Sequence, residues 1–170
     1  MSSPAPPRRP AREVVTAVVD PEMPVLTLDE LGVIRAVDVD GDAVTVLITP
    51  TYTGCPAITE MCQDIGDALR GAGYGPVEVR TVLSPPWSTD MISETGLRKL
   101  AEAGIAPPRR IDPGPLRPLP LAAAVPRAGV VCPNCGASGT EVLSAFGPTP
   151  CTELRRCSVC LEPFEHVKEI

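Results

Sequence analysis

Seven cysteines carry most of the chemistry open to this 170-residue chain. Four of them form two pairs, Cys132-Pro-Asn-Cys135 and Cys157-Ser-Val-Cys160, with 21 residues between the pairs. Each pair sets two thiolates around one tight turn, and two such turns supply the tetrahedral sulfur set that Zn²⁺ takes. Cys151 lies close by and leaves the ligand set open. It is a spare beside a four-thiolate zinc site, a ligand of an iron–sulfur or ligand-exchanging site, or a packing residue. His166, the one histidine, is expected on the surface of the last strand rather than among the ligands.

Cys55 stands apart from these, in Thr49-Pro-Thr-Tyr-Thr-Gly-Cys55-Pro56, just ahead of a helical pattern. A residue before proline avoids helical geometry and proline favours the first helical position, so Cys55 is expected at or near the helix N-cap. There the free N–H groups and the helix dipole stabilise a thiolate, and Thr49, Thr51 and Thr53 offer hydroxyl donors. Two interpretations stay open: a reactive or iron-handling thiol, or a small apolar residue packed at the start of the helix. Asp20, Glu22 and Asp29 form an acidic segment that either reaches this thiol or is simply solvated. Cys62 falls on the apolar stripe of the helix and is expected in the core. A Cys-His pair would need His166, and a Ser-His-Asp set would need a histidine to spare. An independent thiol enzyme acting through Cys55 is therefore the weakest of the functional options.

The elements that must hold these residues are legible. Val14, Val15, Val18 and Val19 recur at helical spacing until Asp20-Pro21-Glu22-Met23-Pro24 stops them. Val37 and Val39, then Val44, Val46 and Ile48, alternate on either side of Asp40-Gly41, a hairpin signal. Ile58, Met61, Cys62, Ile65 and Leu69 mark an amphipathic helix, stopped by Gly71 and Gly73. Residues 76–83 give a third strand and residues 87–105 a last helix. These amount to an α+β fold: a small sheet of about three strands with one hairpin, plus helices and a zinc-ribbon-like module. The boundaries expected are a disordered lead-in at 1–10, a domain at 11–106, a spacer at 107–128 and a cysteine-rich module at 129–170. Seven prolines make the spacer extended and semi-rigid, so that two modules can engage one client together.

Composition sets limits on partners. A net charge of −6 and scattered arginine pairs exclude a nucleic-acid groove. No apolar run is long enough to span a membrane, and the first residues lack the core of a signal peptide. The expected compartment is the cytoplasm, where clustered cysteines bind metal more often than they form disulfides. Aromatic content of 3% leaves the core to Val, Leu, Ile and Ala.

Taken together, DPEMP (20–24), LG (31–32), TPTYTGCP (49–56) and Trp87 resemble the small iron–sulfur assembly domain of SufT-type proteins. With the spacer and CPNCG…CTELRRCSVC, the chain is similar to the PaaD family, the D components encoded with multicomponent phenylacetyl-CoA epoxidases. The resemblance implies an accessory protein of aerobic phenylacetate catabolism that helps mature an iron–sulfur or di-iron centre. It implies Cys55 as the reactive thiol, with Asp20 and Glu22 in the adjacent loop and transient iron or a cluster as cargo, beside the hydroxyl donor that position alone gives Thr53. It implies zinc, or a cluster, on Cys132, Cys135, Cys157 and Cys160. The partners implied are the oxygenase subunits of the epoxidase, its iron–sulfur flavin reductase, or both, with a homodimer also open. A structural, non-catalytic subunit of the oxygenase complex is the alternative.

Overall fold

The computed structural model describes residues 8–109 and 129–170. Most of the expected lead-in and spacer therefore lies outside the described residues. The chain divides into two compact units, one built on residues up to Lys99 and the other on Leu100–Glu169.

The first unit contains helices α1 (Ala11–Thr16), α2 (Leu28–Leu31) and α3 (Ile58–Gly71) and strands β1 (Ile34–Asp40), β2 (Ala43–Ile48) and β3 (Val77–Thr81). A single 3-10 turn, Thr89–Met91, precedes α4 (Glu94–Glu102), which leads into the second unit. The sheet order is β1-β2-β3, with β1 and β2 antiparallel and β2 and β3 parallel. The Asp40-Gly41 turn closes the hairpin as its sequence predicts, with Gly41 at φ 61. Strands β2 and β3 run parallel because α3 returns the chain to the same end of the sheet. Val44, Val46 and Ile48 are buried on β2, as are Met61, Ile65 and Leu69 on α3, which packs against β3 and α1.

Three local readings change. Helix α1 ends at Thr16 rather than running through Val19, because Val19 bridges to Thr27 and Asp20 N–H donates to the Leu26 carbonyl. Residues 8–10 are held rather than disordered. Arg8 Nη1 donates to Asp42 Oδ1 at 2.8 Å, its guanidinium lies over the Tyr74 ring, and the Tyr74 hydroxyl donates to the Arg9 carbonyl. Cys62 is half-buried instead of in the core, since the buried stripe of α3 is a narrow one centred on Met61, Ile65 and Leu69.

Helix α2 is short but well anchored. Thr27 Oγ1 accepts from Glu30 N–H while a Glu30 carboxylate oxygen accepts from Thr27 N–H, a reciprocal capping box. Lys99 Nζ pairs with the same carboxylate at 2.7 Å. Gly32 ends α2 at φ 77, and a Cβ there would overlap the Met91 carbonyl. Trp87, expected at the start of the last helix, lies instead in the loop after β3, because that helix begins only at Glu94. It is buried and donates its indole N–H to the Leu31 carbonyl at 2.9 Å.

The second unit is a four-stranded sheet of order β4-β7-β6-β5, from β4 (Ile105–Ala106), β5 (Thr140–Ser144), β6 (Thr152–Cys157) and β7 (Pro163–Val167). β6 runs antiparallel to both β5 and β7, and β4 pairs parallel with β7. Its apolar cluster is small: Ala106, Val130, Cys132, Cys157 and Phe164, with Ala137 and Cys160 packed against it. His166 is buried rather than on the surface, because β7 is an inner strand flanked by β6 and β4. Its Nδ1 lies 3.0 Å from Glu153 Oε1, and Arg155 holds the same carboxylate.

Candidate functional site

The first unit positions Cys55 at the end of a loop that leaves β2 through Thr49 and Thr51, both buried. Cys55 N–H donates to the Tyr52 carbonyl, and the first turn of α3 starts later than expected, with Ala57 as N-cap and Ile58 as first helical residue. The thiol thus sits two residues ahead of the cap, and it is buried at 4% exposure. Burial pushes its pKa above the ordinary 9.0. The Ala57 N–H and the Thr51 hydroxyl oppose that shift, while the charges of Glu22 and Asp20 add to it. The expectation of a thiolate stabilised by the helix is therefore overturned: desolvation outweighs the N–H groups.

Asp20 is 2% exposed, and its Oδ1 accepts from the N–H groups of Glu22 (2.9 Å) and Met23 (2.5 Å). Its carboxyl is nevertheless raised, by burial first and also by Glu60. Glu22 is raised by burial, then by Asp20 and Glu60. The fold thus brings Cys55, Asp20 and Glu22 into one electrostatic neighbourhood and adds Glu60, from the first turn of α3, which sequence reasoning missed. Its place three residues after the N-cap was the available signal. Of the threonines, Thr51 is the one whose hydroxyl serves the thiol, whereas Thr53 is exposed. Asp29 is exposed in the first turn of α2.

The second unit gathers Cys132, Cys135, Cys157 and Cys160, with all four Sγ atoms within 4.8 Å of one another. Cys132 and Cys160 sulfurs are 3.7 Å apart, and those of Cys135 and Cys157 are 3.5 Å apart. A tetrahedral ion with metal–sulfur bonds of about 2.3 Å separates its sulfurs by about 3.8 Å, so the set fits one ion. The N–H groups of Val159 and Cys160 point at Cys157 Sγ from 3.3 and 3.5 Å. Those N–H groups, Cys160's first, bring the Cys157 thiol down to about 6. Cys151 does not belong to this cluster. It is buried, with its Sγ 3.0 Å from Thr149 Oγ1.

Both units match known families. Residues 10–82 match the model of the iron–sulfur cluster assembly protein family, and residues 120–168 match the PaaD zinc beta ribbon domain. A protein of Escherichia coli (strain K12), provisionally named as the D component of 1,2-phenylacetyl-CoA epoxidase, is 37% identical over 91% of this chain and 88% of its own length. The chain belongs to the PaaD family. Beyond that family, an Fe-S protein maturation auxiliary factor of Porphyromonas gingivalis is 36% identical over 51% of this chain and 84% of its own. A crystal structure of a DUF59 domain from Bacillus anthracis aligns with 53% of this chain and 87% of its own, at 27% identity and a TM-score of 0.49. As the PaaD zinc ribbon match implies, the four-cysteine cluster is a metal-binding site. No described helix is long and apolar enough to cross a membrane.

Proposed function

We propose that this chain is an accessory subunit of a phenylacetyl-CoA epoxidase system. In this role Cys55 receives iron or an iron–sulfur fragment as cargo bound for the oxygenase subunits or their iron–sulfur flavin reductase. The observation that carries it is the meeting of a buried thiol with Asp20, Glu22 and Glu60, where burial first and then the neighbouring acidic charges push the Cys55 thiol and the Asp20 and Glu22 carboxyls up. An arriving cation relieves that repulsion and displaces the thiol proton, so the loop favours a metal over an empty, ionised state. Thr51 steadies the sulfur. The same raised pKa counts against a nucleophilic enzyme, which needs thiolate at neutral pH. The relatives described as Fe-S maturation factors and as an epoxidase component support both halves of the proposal.

In the second unit we assign zinc to the four cysteines. The sulfur spacing suits a single ion, whereas a cluster spreads its thiolates over several irons. The ion supplies folding free energy and no redox chemistry. What the chain's own residues do there is to aim the Val159 and Cys160 N–H groups at a ligand sulfur.

The test is a Cys55→Ser full-length chain co-expressed with the epoxidase components. Iron content of the oxygenase and cluster content of the reductase should fall for at least one client, while the variant keeps its zinc and its thermal midpoint. Full metallation of both clients by the variant would leave Cys55 with a packing role and favour a purely structural subunit.

A further inference from the structure

The two cysteine turns of the second unit share one hydrogen-bond pattern. Cys132 N–H donates to the Ala137 carbonyl and Gly136 N–H to the Cys132 carbonyl, at 2.8 and 2.9 Å. In the second turn Cys157 N–H donates to the Glu162 carbonyl and Leu161 N–H to the Cys157 carbonyl, both at 3.1 Å. Gly136 and Leu161 therefore hold the same position, and both lie in the left-handed region, at φ 75 and 64. Glycine enters that region freely; leucine does so only under strain. Among the described residues Leu161 is the one non-glycine residue with positive φ.

Packing inside the chain does not offset the strain. The Leu161 side chain is 65% exposed, and Val159, at the tip of the same turn, is 69% exposed. The first turn carries Pro133 and Asn134 where the second carries Ser158 and Val159. The first turn thus carries Asn134 and a relaxed Gly136 where the second presents Val159 and a strained Leu161. The turn needs a left-handed residue at this position but not a leucine, so the choice of leucine points to function.

Charge indicates what the tip meets. The described part of this unit from residue 129 onward has three Lys and Arg side chains, and each is held within the unit. Arg155 pairs with Glu153, Arg156 pairs with Glu141, and Lys168 donates to the Pro150 carbonyl while lying over the Phe146 ring. Glu162 follows Leu161 directly, is exposed, and forms no ion pair among the described residues. We infer that Val159 and Leu161 form a docking tip that enters an apolar pocket, bordered by lysine or arginine, on a protein partner. A second copy of this chain is a poor occupant, since it sets Glu162 against another acidic surface and each chain carries a net charge of −6. Combined with the functional assignment above, on which this inference rests, the partner is a component of the epoxidase.

The test uses the full-length, metal-loaded chain, titrated calorimetrically into the purified oxygenase component and, separately, the reductase. Leu161→Asn keeps a residue that tolerates positive φ and removes the apolar side chain. It should leave the thermal midpoint unchanged or raised, and weaken binding about tenfold or more. Val159→Ser should weaken binding without raising the midpoint. Glu162→Gln should lose less affinity and flatten the salt dependence between roughly 50 and 300 mM NaCl. Wild-type affinity in both apolar-tip variants would overturn the docking tip while leaving the functional assignment standing. Absence of wild-type binding to both components would overturn that assignment and this occupant with it. A concentration-dependent dimer abolished by Leu161→Asn would replace the partner with a second copy.

Discussion

Stripping the metal from the four-cysteine site should unfold the ribbon and spare the first unit. The apolar cluster of the ribbon has seven members, and three of them, Cys132, Cys157 and Cys160, are themselves ligands. The remainder are Phe164, Val130 and two alanines, whose burial is worth about 6 kcal/mol at the usual value for apolar side chains. An all-thiolate zinc site contributes about 10–16 kcal/mol of apparent folding free energy at neutral pH, so the ion outweighs the core about twofold. The first unit has a different balance, with Val15, Leu26, Leu31, Ile48, Ile65 and Leu69 all enclosed and none of the four ligands among its residues. Hydrogen exchange followed by mass spectrometry on the intact chain separates the two. With excess chelator under reducing conditions, peptides spanning β5, β6 and β7 should exchange at nearly free-peptide rates, while those spanning β1 to β3 keep their protection. One equivalent of zinc should restore the ribbon. Protected β6 and β7 amides in metal-free protein would refute the reasoning, because the core would then suffice alone.

Two further outcomes follow from the first unit. Gly32→Ala places a side chain at φ 77 and against the Met91 carbonyl, and should cost about 2–4 kcal/mol in urea unfolding monitored by Trp87 fluorescence. Burial alone would push the Glu30 carboxyl up, but its bonds from Lys99 and Thr27 hold it below 4.5. A depressed carboxylate stabilises the fold above its unfolded pKa, and that contribution disappears as pH falls through the folded value. Glu30→Gln should therefore lower the urea midpoint at pH 7 by an amount equivalent to about 1 kcal/mol or less, and lower it less near pH 3. An equal loss at both pH values would assign the effect to packing.

Much of the fold is legible in the sequence because its signals are local. Asp40-Gly41 specifies the hairpin by turn chemistry, and the stripe of Met61, Ile65 and Leu69 specifies the face of α3. The two cysteine pairs are equally local, each a turn of four residues. Local pattern is a poor guide where distant chain segments decide. Spacing alone puts Val19 in α1, but a bridge to Thr27 takes it out. His166 reads as a surface residue because the partner strand that makes β7 internal comes from residues 105–106, ahead of the proline-rich stretch. A place before a helix implies a depressed pKa for Cys55, yet enclosure first, and then the charges of Glu22 and Asp20, distant in the chain, push it up. Glu60, one turn into the helix, completes that neighbourhood and carries no signal beyond its position.

The pairing of β4 with β7 alters what the proline-rich stretch is. Ala106, just before it, and Val130, just after it, belong to one apolar cluster, and β4 is hydrogen-bonded into the ribbon's own sheet. The described residues that flank the stretch, Ala106 and Val130, are therefore fastened to the same module. For any chain segment whose two ends are held, added length enters as a loop-closure entropy. Doubling it costs only about 0.6 kcal/mol of ribbon stability. Lengthening or shortening the stretch is thus nearly free for the ribbon, provided Ala106 and Val130 keep their places in its cluster.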